Sequence, residues 1–197
     1  YTCTFLNEQM GRIIVDKVTD PATSTQEFDF TTTGAGYAPF KLVHGGVDTS
    51  AYLMPGNYSV SETVPDGWIS SAECSNDKGD EVLPGSITLD PGEVVSCTFT
   101  NTSTAKLTLR KTVFNDYGGT AGVNDFDLRA GAISFAHNEQ KTINSGTYTL
   151  SEKNLPGYEA KPWACSGFTN GGSLDGTTRE LKPGETVSCD IENRGIG

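Results

Sequence analysis

Positive charge is scarce in this sequence. Lys and Arg number 14 against 25 Asp and Glu, a formal net charge of -11. So acidic a balance excludes nucleic acid and anionic lipid as partners, because both reward clustered cations. The charge reads instead as solubility. Long apolar runs are missing as well. Nothing approaches the roughly 18 apolar residues of a membrane span, and no basic segment leads into an apolar one as a signal peptide requires. Leu83-Pro84-Gly85-Ser86 begins like an LPxTG sorting signal and does not continue as one. Export and anchoring signals are therefore expected outside this stretch, and no membrane contact is expected within it. Catalytic signatures are absent too: no G-x-S-x-G elbow, P-loop or Rossmann glycine pattern occurs, so neither an enzyme nor a cofactor is expected. Histidine is rare, and His44 and His137 stand without a ligand cluster or a C-x-x-C pair. Zinc is excluded on that ground, and both are read as ordinary loop residues. The acidic loops Asn115-Asp116 and Asn124-Asp125 lack the D-x-[DN]-x-[DN]-G spacing of a calcium loop, so no metal site is expected.

What is plentiful is turn chemistry, with Gly 23 and Pro 9 among many Thr, Ser and Val. Such a composition favours short strands joined by turns. The chain also repeats itself, and a repeat organises everything else. Cys3-Thr4-Phe5-Leu6-Asn7 returns as Cys97-Thr98-Phe99-Thr100-Asn101 and, loosely, as Cys189-Asp190-Ile191-Glu192-Asn193. Lys17 and Lys111 each follow the first two of these Asn by ten residues. Gly56-Asn57-Tyr58-Ser59-Val60-Ser61-Glu62 reappears as Gly146-Thr147-Tyr148-Thr149-Leu150-Ser151-Glu152, each followed by a Pro and Gly turn and then Trp68 or Tyr158. Leu89-Asp90-Pro91-Gly92-Glu93-Val94-Val95-Ser96-Cys97 matches Leu181-Lys182-Pro183-Gly184-Glu185-Thr186-Val187-Ser188-Cys189. One unit is expected over 11–101 and a second over 105–197, with Thr102-Ser103-Thr104 as a short polar linker. Residues 1–10 read as the final strand of a preceding repeat plus a linker, so the sequence is expected to begin inside a further domain.

Strands are expected over Arg12–Val18, Tyr58–Thr63, Val94–Asn101, Leu107–Val113, Thr147–Ser151 and Thr186–Asn193. Six or seven strands per unit of about 90 residues predict two tandem all-β, antiparallel, Ig-like sandwiches. Side chains alternate faces along a strand, and here the alternation is informative. Ile13 and Val15 are in phase with Lys17; Tyr58 and Val60 with Glu62; Val95, Cys97 and Phe99 with Asn101. The second unit repeats this with Leu107, Leu109 and Lys111, with Tyr148, Leu150 and Glu152, and with Val187, Cys189, Ile191 and Asn193. Each unit thus places a Lys, a Glu and an Asn on a face that otherwise looks like core. Buried charge is costly unless paired, so a trio that occurs twice points to a purpose.

Two readings of the trio stand side by side. One is a Lys–Glu ion pair whose hydrogen bonds the Asn completes. The other is autocatalytic formation of a Lys–Asn isopeptide bond. Burial favours the neutral forms of both amine and carboxylic acid. The amine can then act as nucleophile while the acid polarises the carboxamide and shuttles protons, and folding supplies the proximity.

The pattern Lys17, Ser61-Glu62-Thr63-Val64-Pro65-Asp66-Gly67-Trp68, Asn101 resembles collagen-adhesin B-type (CnaB) and SpaA-like pilin domains of prealbumin-like fold. Lys111, Ser151-Glu152-Lys153-Asn154-Leu155-Pro156-Gly157-Tyr158 and Asn193 resemble them equally. So does Lys111-Thr112-Val113-Phe114-Asn115-Asp116-Tyr117-Gly118-Gly119 leading to Asp125-Phe126. The resemblance implies isopeptide partners Lys17 with Asn101 and Lys111 with Asn193, and catalytic Glu62 and Glu152. The second unit departs in having Lys153, not Thr, after its Glu. Both units also carry a cysteine pair that many isopeptide domains lack, and a disulfide can stand in for an isopeptide as the stabilising device. The simplest pairing is Cys74–Cys97 and Cys165–Cys189, which implies an oxidising compartment. It leaves Cys3 unpaired, with a partner expected in the preceding domain; free thiols in a reducing compartment are the alternative.

The expected role is a structural stalk or fibre repeat of an extracellular, cell-surface bacterial protein, its partners being further copies of the same repeat. The alternative is an adhesin module binding a host protein or glycan through Tyr37-Ala38-Pro39-Phe40 or the Gly167–Gly176 loop. A third reading, in which residues 1–7 complete a neighbouring molecule's sheet by strand addition, ranks behind the preceding-domain reading, because the second unit already owns its final strand and offers no acceptor.

Overall fold

The computed structural model describes residues 2–3, 7–167 and 174–196. The chain divides into two compact units, Tyr1–Thr102 and Ser103–Gly197. Each is nearly all-β, as the alternating, turn-rich sequence requires.

In the first unit the strands are β1 (Arg12–Asp20), β2 (Phe28–Thr33), β3 (Phe40–Leu42), β4 (Val47–Thr49), β5 (Gly56–Thr63), β6 (Trp68–Asn76), β7 (Glu81–Val82), β8 (Ile87–Leu89) and the N-terminal part of β9 (Val94–Phe114). One sheet runs β6, β9, β1, β4, with β7 paired to β6; the facing sheet runs β3, β2, β5, β8. Ile13, Val15, Phe28, Phe30, Val60, Ile87, Val95 and Cys97 are buried between them. Phe30 stacks on Phe40 at 4.9 Å between ring centroids and meets Phe99 edge-on at 5.1 Å.

The second unit continues with the C-terminal part of β9, β10 (Leu128–Ala130), β11 (Ile133–Phe135), β12 (Gln140–Asn144), β13 (Gly146–Ser151), β14 (Tyr158–Ala160), β15 (Ala164–Ser166), β16 (Leu174–Asp175), β17 (Thr178–Leu181) and β18 (Thr186–Gly195). Its β14 and β15 flank β18, which pairs with β9, which pairs with β12; the second sheet runs β11, β10, β13, β17, β16. Leu107, Leu109, Leu128, Leu150, Leu181, Val187 and Ile191 form its core.

Most pairing is antiparallel, as expected, but the first and last strands of each unit run parallel: β1 with β9, and β9 with β18. That departure from an all-antiparallel sandwich positions the site, because it aligns the Lys strand with the Asn strand in one direction. Thr102-Ser103-Thr104, expected as a linker, is extended strand. Thr102 pairs with Asp20 in the first unit, and Thr104 pairs with Asn144 in the second. Odd-numbered side chains from Val95 to Lys111 keep one phase throughout β9, so no turn residue was needed.

The matching Pro-Gly-Glu turns follow from local chemistry. Gly92 and Gly184 both sit at φ 77°, a left-handed conformation that suits a residue without Cβ. In each turn the following Glu accepts a backbone N–H from three residues earlier: Asp90 to Glu93 at 2.8 Å and Lys182 to Glu185 at 3.0 Å.

Candidate cross-linking site

Parallel pairing places Lys17 beside Phe99 and Thr19 beside Asn101. In the second unit Lys111 lies beside Ile191 and Val113 beside Asn193. The two registers are identical, so Lys and Asn occupy the same relative place on neighbouring strands, with the Glu brought in from the facing sheet.

In the first unit all three residues meet. The Lys17 Nζ donates to Asn101 Oδ1 at 2.7 Å and lies 3.2 Å from Glu62 Oε1. It also donates to the carbonyls of Phe99 and Val18 at 3.2 and 3.1 Å. The Phe28 ring lies under the amine at 4.3 Å. The Lys17 and Glu62 side chains are 0% and 2% exposed, and Asn101 is wholly buried. Burial pushes the Lys17 amine below the ordinary lysine range, although the Glu62 charge and hydrogen bond pull the other way. The Asn101 Nδ2 has no hydrogen-bond partner. An amide nitrogen left without a partner in the core is unfavourable in a resting network and sits where a leaving group would.

The second unit brings together two of its three. The Lys111 Nζ donates to Glu152 Oε2 at 2.5 Å, with the Phe126 ring at 4.0 Å. Burial lowers this amine's pKa in the same way. Asn193 is also wholly buried, but neither its Oδ1 nor its Nδ2 has a hydrogen-bond partner.

The disulfides Cys74–Cys97 and Cys165–Cys189 are both formed, tying β6 to β9 and β15 to β18. Cys3 is an exposed free thiol; the strand expected around it involves residues 4–6, which lie outside the described residues. His44 and His137 are more than loop residues. The Nδ1 of His44 accepts the Thr19 N–H at 2.9 Å, and that of His137 accepts the Lys111 N–H at 3.0 Å, so each braces a Lys-bearing strand. Tyr37, expected as an exposed adhesive aromatic, is 6% exposed and packs against Phe40 and Tyr58, because its ring fills the core. Burial raises its phenol pKa. Of the Gly167–Gly176 loop, residues 168–173 lie outside the described residues. Asn115 Oδ1 accepts from the Tyr158 hydroxyl, and Asp125 accepts the Gly122 N–H. Among the described residues no group of three or more His, Cys, Asp or Glu is placed to hold a metal ion, and no helix is long and apolar enough to cross a membrane.

Several site residues were not legible beforehand. Phe28 is one: Phe126 stands in the motif that carries the resemblance, but the two follow their Lys at different offsets, so the repeat does not lead from Phe126 to Phe28. Ser70, whose Oγ donates to Glu62 Oε2 at 2.7 Å, carries no signal except its place two residues after Trp68. Glu185, which matches Glu93 in the repeat, is wholly buried 3.1 Å from Arg179, whereas Glu93 accepts from Asn76.

Family comparison agrees with the fold. Residues 13–103 and 102–191 each match a SpaA-type model described as a prealbumin-like fold domain. The chain belongs to this family, being built of two such domains. No curated protein matches. Among solved structures it is similar to the Bacillus anthracis TIE protein, at 16% identity and TM-score 0.47; it is covered over 95% of its length and spans 34% of that chain. The major pilin T-13 of Streptococcus pyogenes is similar at 12% identity and TM-score 0.31, over 97% of this chain and 98% of that one. A C-terminal fragment of the pilus adhesin SpaC from Lactobacillus rhamnosus GG is similar at 16% identity and TM-score 0.31, over 96% and 98%.

Proposed function

We propose that this chain is a structural stalk module of an extracellular surface protein, with Lys–Asn isopeptide bonds joining the first and last strands of its domains. The observation that carries this reading is the Lys17–Glu62–Asn101 contact, buried in the core of a SpaA-type prealbumin-like domain. A spacer has no need of a ligand pocket; it needs resistance to unfolding under tension and proteolysis. Small domains have limited cores and gain most from covalent staples. Its neighbours in the parent protein would be further copies of the same repeat.

The chemistry follows from the contacts. Lys17 passes a proton to Glu62 and becomes a neutral amine, the form that burial favours. Its lone pair forms the Nζ–Cγ bond with Asn101. A second proton leaves Nζ while Nδ2 gains one through the Glu62 carboxyl, the Cγ–Nδ2 bond breaks, and ammonia departs. Amine and carboxamide become a secondary amide plus ammonia, with no cofactor. Lys111, Glu152 and Asn193 would react likewise once the Asn193 carboxamide swings to the amine.

Intact mass before and after reduction tests the reading. The expected result is a deficit of one ammonia per linked unit that reductant does not restore. A mass explained by disulfide hydrogens alone would falsify the cross-link and leave both trios as buried polar networks.

A further inference from the structure

We infer that Ser70 is a positioning residue for the cross-link of the first unit, and that its absence from the second unit makes the two domains link at different rates. This rests on the isopeptide reading above. The Ser70 hydroxyl donates to Glu62 Oε2 at 2.7 Å, on the oxygen that faces away from the amine. The other oxygen, Oε1, is buried and lies 3.2 Å from Lys17 Nζ, its ion-pair partner. With Oε2 occupied by a donor, the proton released by Lys17 settles on Oε1, the oxygen that faces the reacting pair. The carboxyl is thereby held in one orientation, with its acidic proton beside Lys17 and the Asn101 carboxamide that Lys17 contacts. Pre-orientation of this kind lowers a barrier because no rotation or desolvation is left for the moment of reaction.

The second unit supplies the internal comparison. Ser70 stands two residues after Trp68, and Ala160 two residues after Tyr158, the aromatic that matches Trp68 in the repeat. Ala160 pairs with Asn193 on β18 and has no hydroxyl to offer. Glu152 turns Oε2 to Lys111, and its Oε1 is buried without a hydrogen-bond partner. The oxygen not turned to the amine thus has no donor on it, whereas in Glu62 it has Ser70. The same unit is the one in which the Asn carboxamide is not held by the amine.

The experiment follows linkage in the full 197-residue chain after rapid cell-free synthesis. Peptide mass spectrometry counts the Lys17–Asn101 and Lys111–Asn193 linked peptides separately over time. Wild type is expected to link the first unit faster. Ser70→Ala should slow the first unit roughly tenfold, the change that one lost hydrogen bond in the transition state corresponds to. Ser70→Thr should restore the rate, and Ala160→Ser should accelerate the second unit, a gain that a folding defect cannot imitate. Wild-type kinetics in Ser70→Ala together with an unmoved second unit in Ala160→Ser would overturn the positioning role alone. Absence of both linked peptides from wild type would overturn the isopeptide reading, and this inference with it.

Discussion

At the scale of residues, the balance that matters is between a buried amine and the groups that accept it. Lys17 has four polar neighbours within 3.2 Å, two of them the side chains of Glu62 and Asn101. Removing one partner of a buried pair leaves the other uncompensated, which costs about 3–5 kcal/mol. Glu62→Gln is therefore expected to abolish the Lys17–Asn101 link, read as one ammonia retained, and to be less stable near neutral pH than the first unit before it links, by about 3–5 kcal/mol. It also removes the influences that raise the Lys17 pKa and leaves burial, which lowers it, in sole charge. The folded variant then loses its proton at a lower pH than the unfolded chain, whose lysine titrates near 10.5. Between those two values the unfolded state binds more protons, so stability rises with pH. Denaturant titrations across that window check the slope; a flat or falling profile would mean that Lys17 is solvated.

Strands and turns respond to different forces. The disulfide Cys74–Cys97 closes a sequence separation of 23 and Cys165–Cys189 one of 24. Loop-closure entropy makes each worth about 3 kcal/mol, comparable with the buried pair. Both tie a neighbouring strand to the Asn-bearing strand, whereas the proposed isopeptide ties the Lys-bearing strand to it. The two staples therefore restrain different segments of each unit. Cys74→Ala with Cys97→Ala is expected to lower the first unit's stability by about that amount while leaving its linked peptide in place. Loss of the linked peptide in that double variant would show that the disulfide is needed to bring Asn101 to the amine.

For the molecule as a whole, the consequence is mechanical. Lys17 and Asn101 lie 84 residues apart in sequence and on adjacent parallel strands. Once they are joined, tension applied through the ends passes along β1, the new amide and β9 without reaching the residues between. Single-molecule pulling of the linked first unit should lack the extension of about 290 Å that 84 freed residues would give. Lys17→Ala should restore a large extension step under the same force, reduced by whatever the disulfide retains. A full step in the linked wild type would remove the reason for proposing a stalk.

The sequence by itself determined the repeat, the all-β class and the phase that sends Lys17, Glu62, Asn101 and their counterparts inward. All of these follow from local periodicity: the alternation of side chains, the Pro and Gly turns, and the recurrence of motifs at fixed offsets. Tertiary structure decided the rest. That β1 and β9 run parallel cannot be read from either strand, since pairing direction depends on the path of the chain between them. Thr102-Ser103-Thr104 looks like a linker by composition and is strand, because its backbone finds partners on Asp20 and Asn144. Ser70 and Phe28 join the site from elements with no fixed offset to Lys17, and the His rings brace strands 25 and 26 residues away. Contacts of this kind are made by packing two sheets face to face, which sets distances through space that no spacing along the chain encodes.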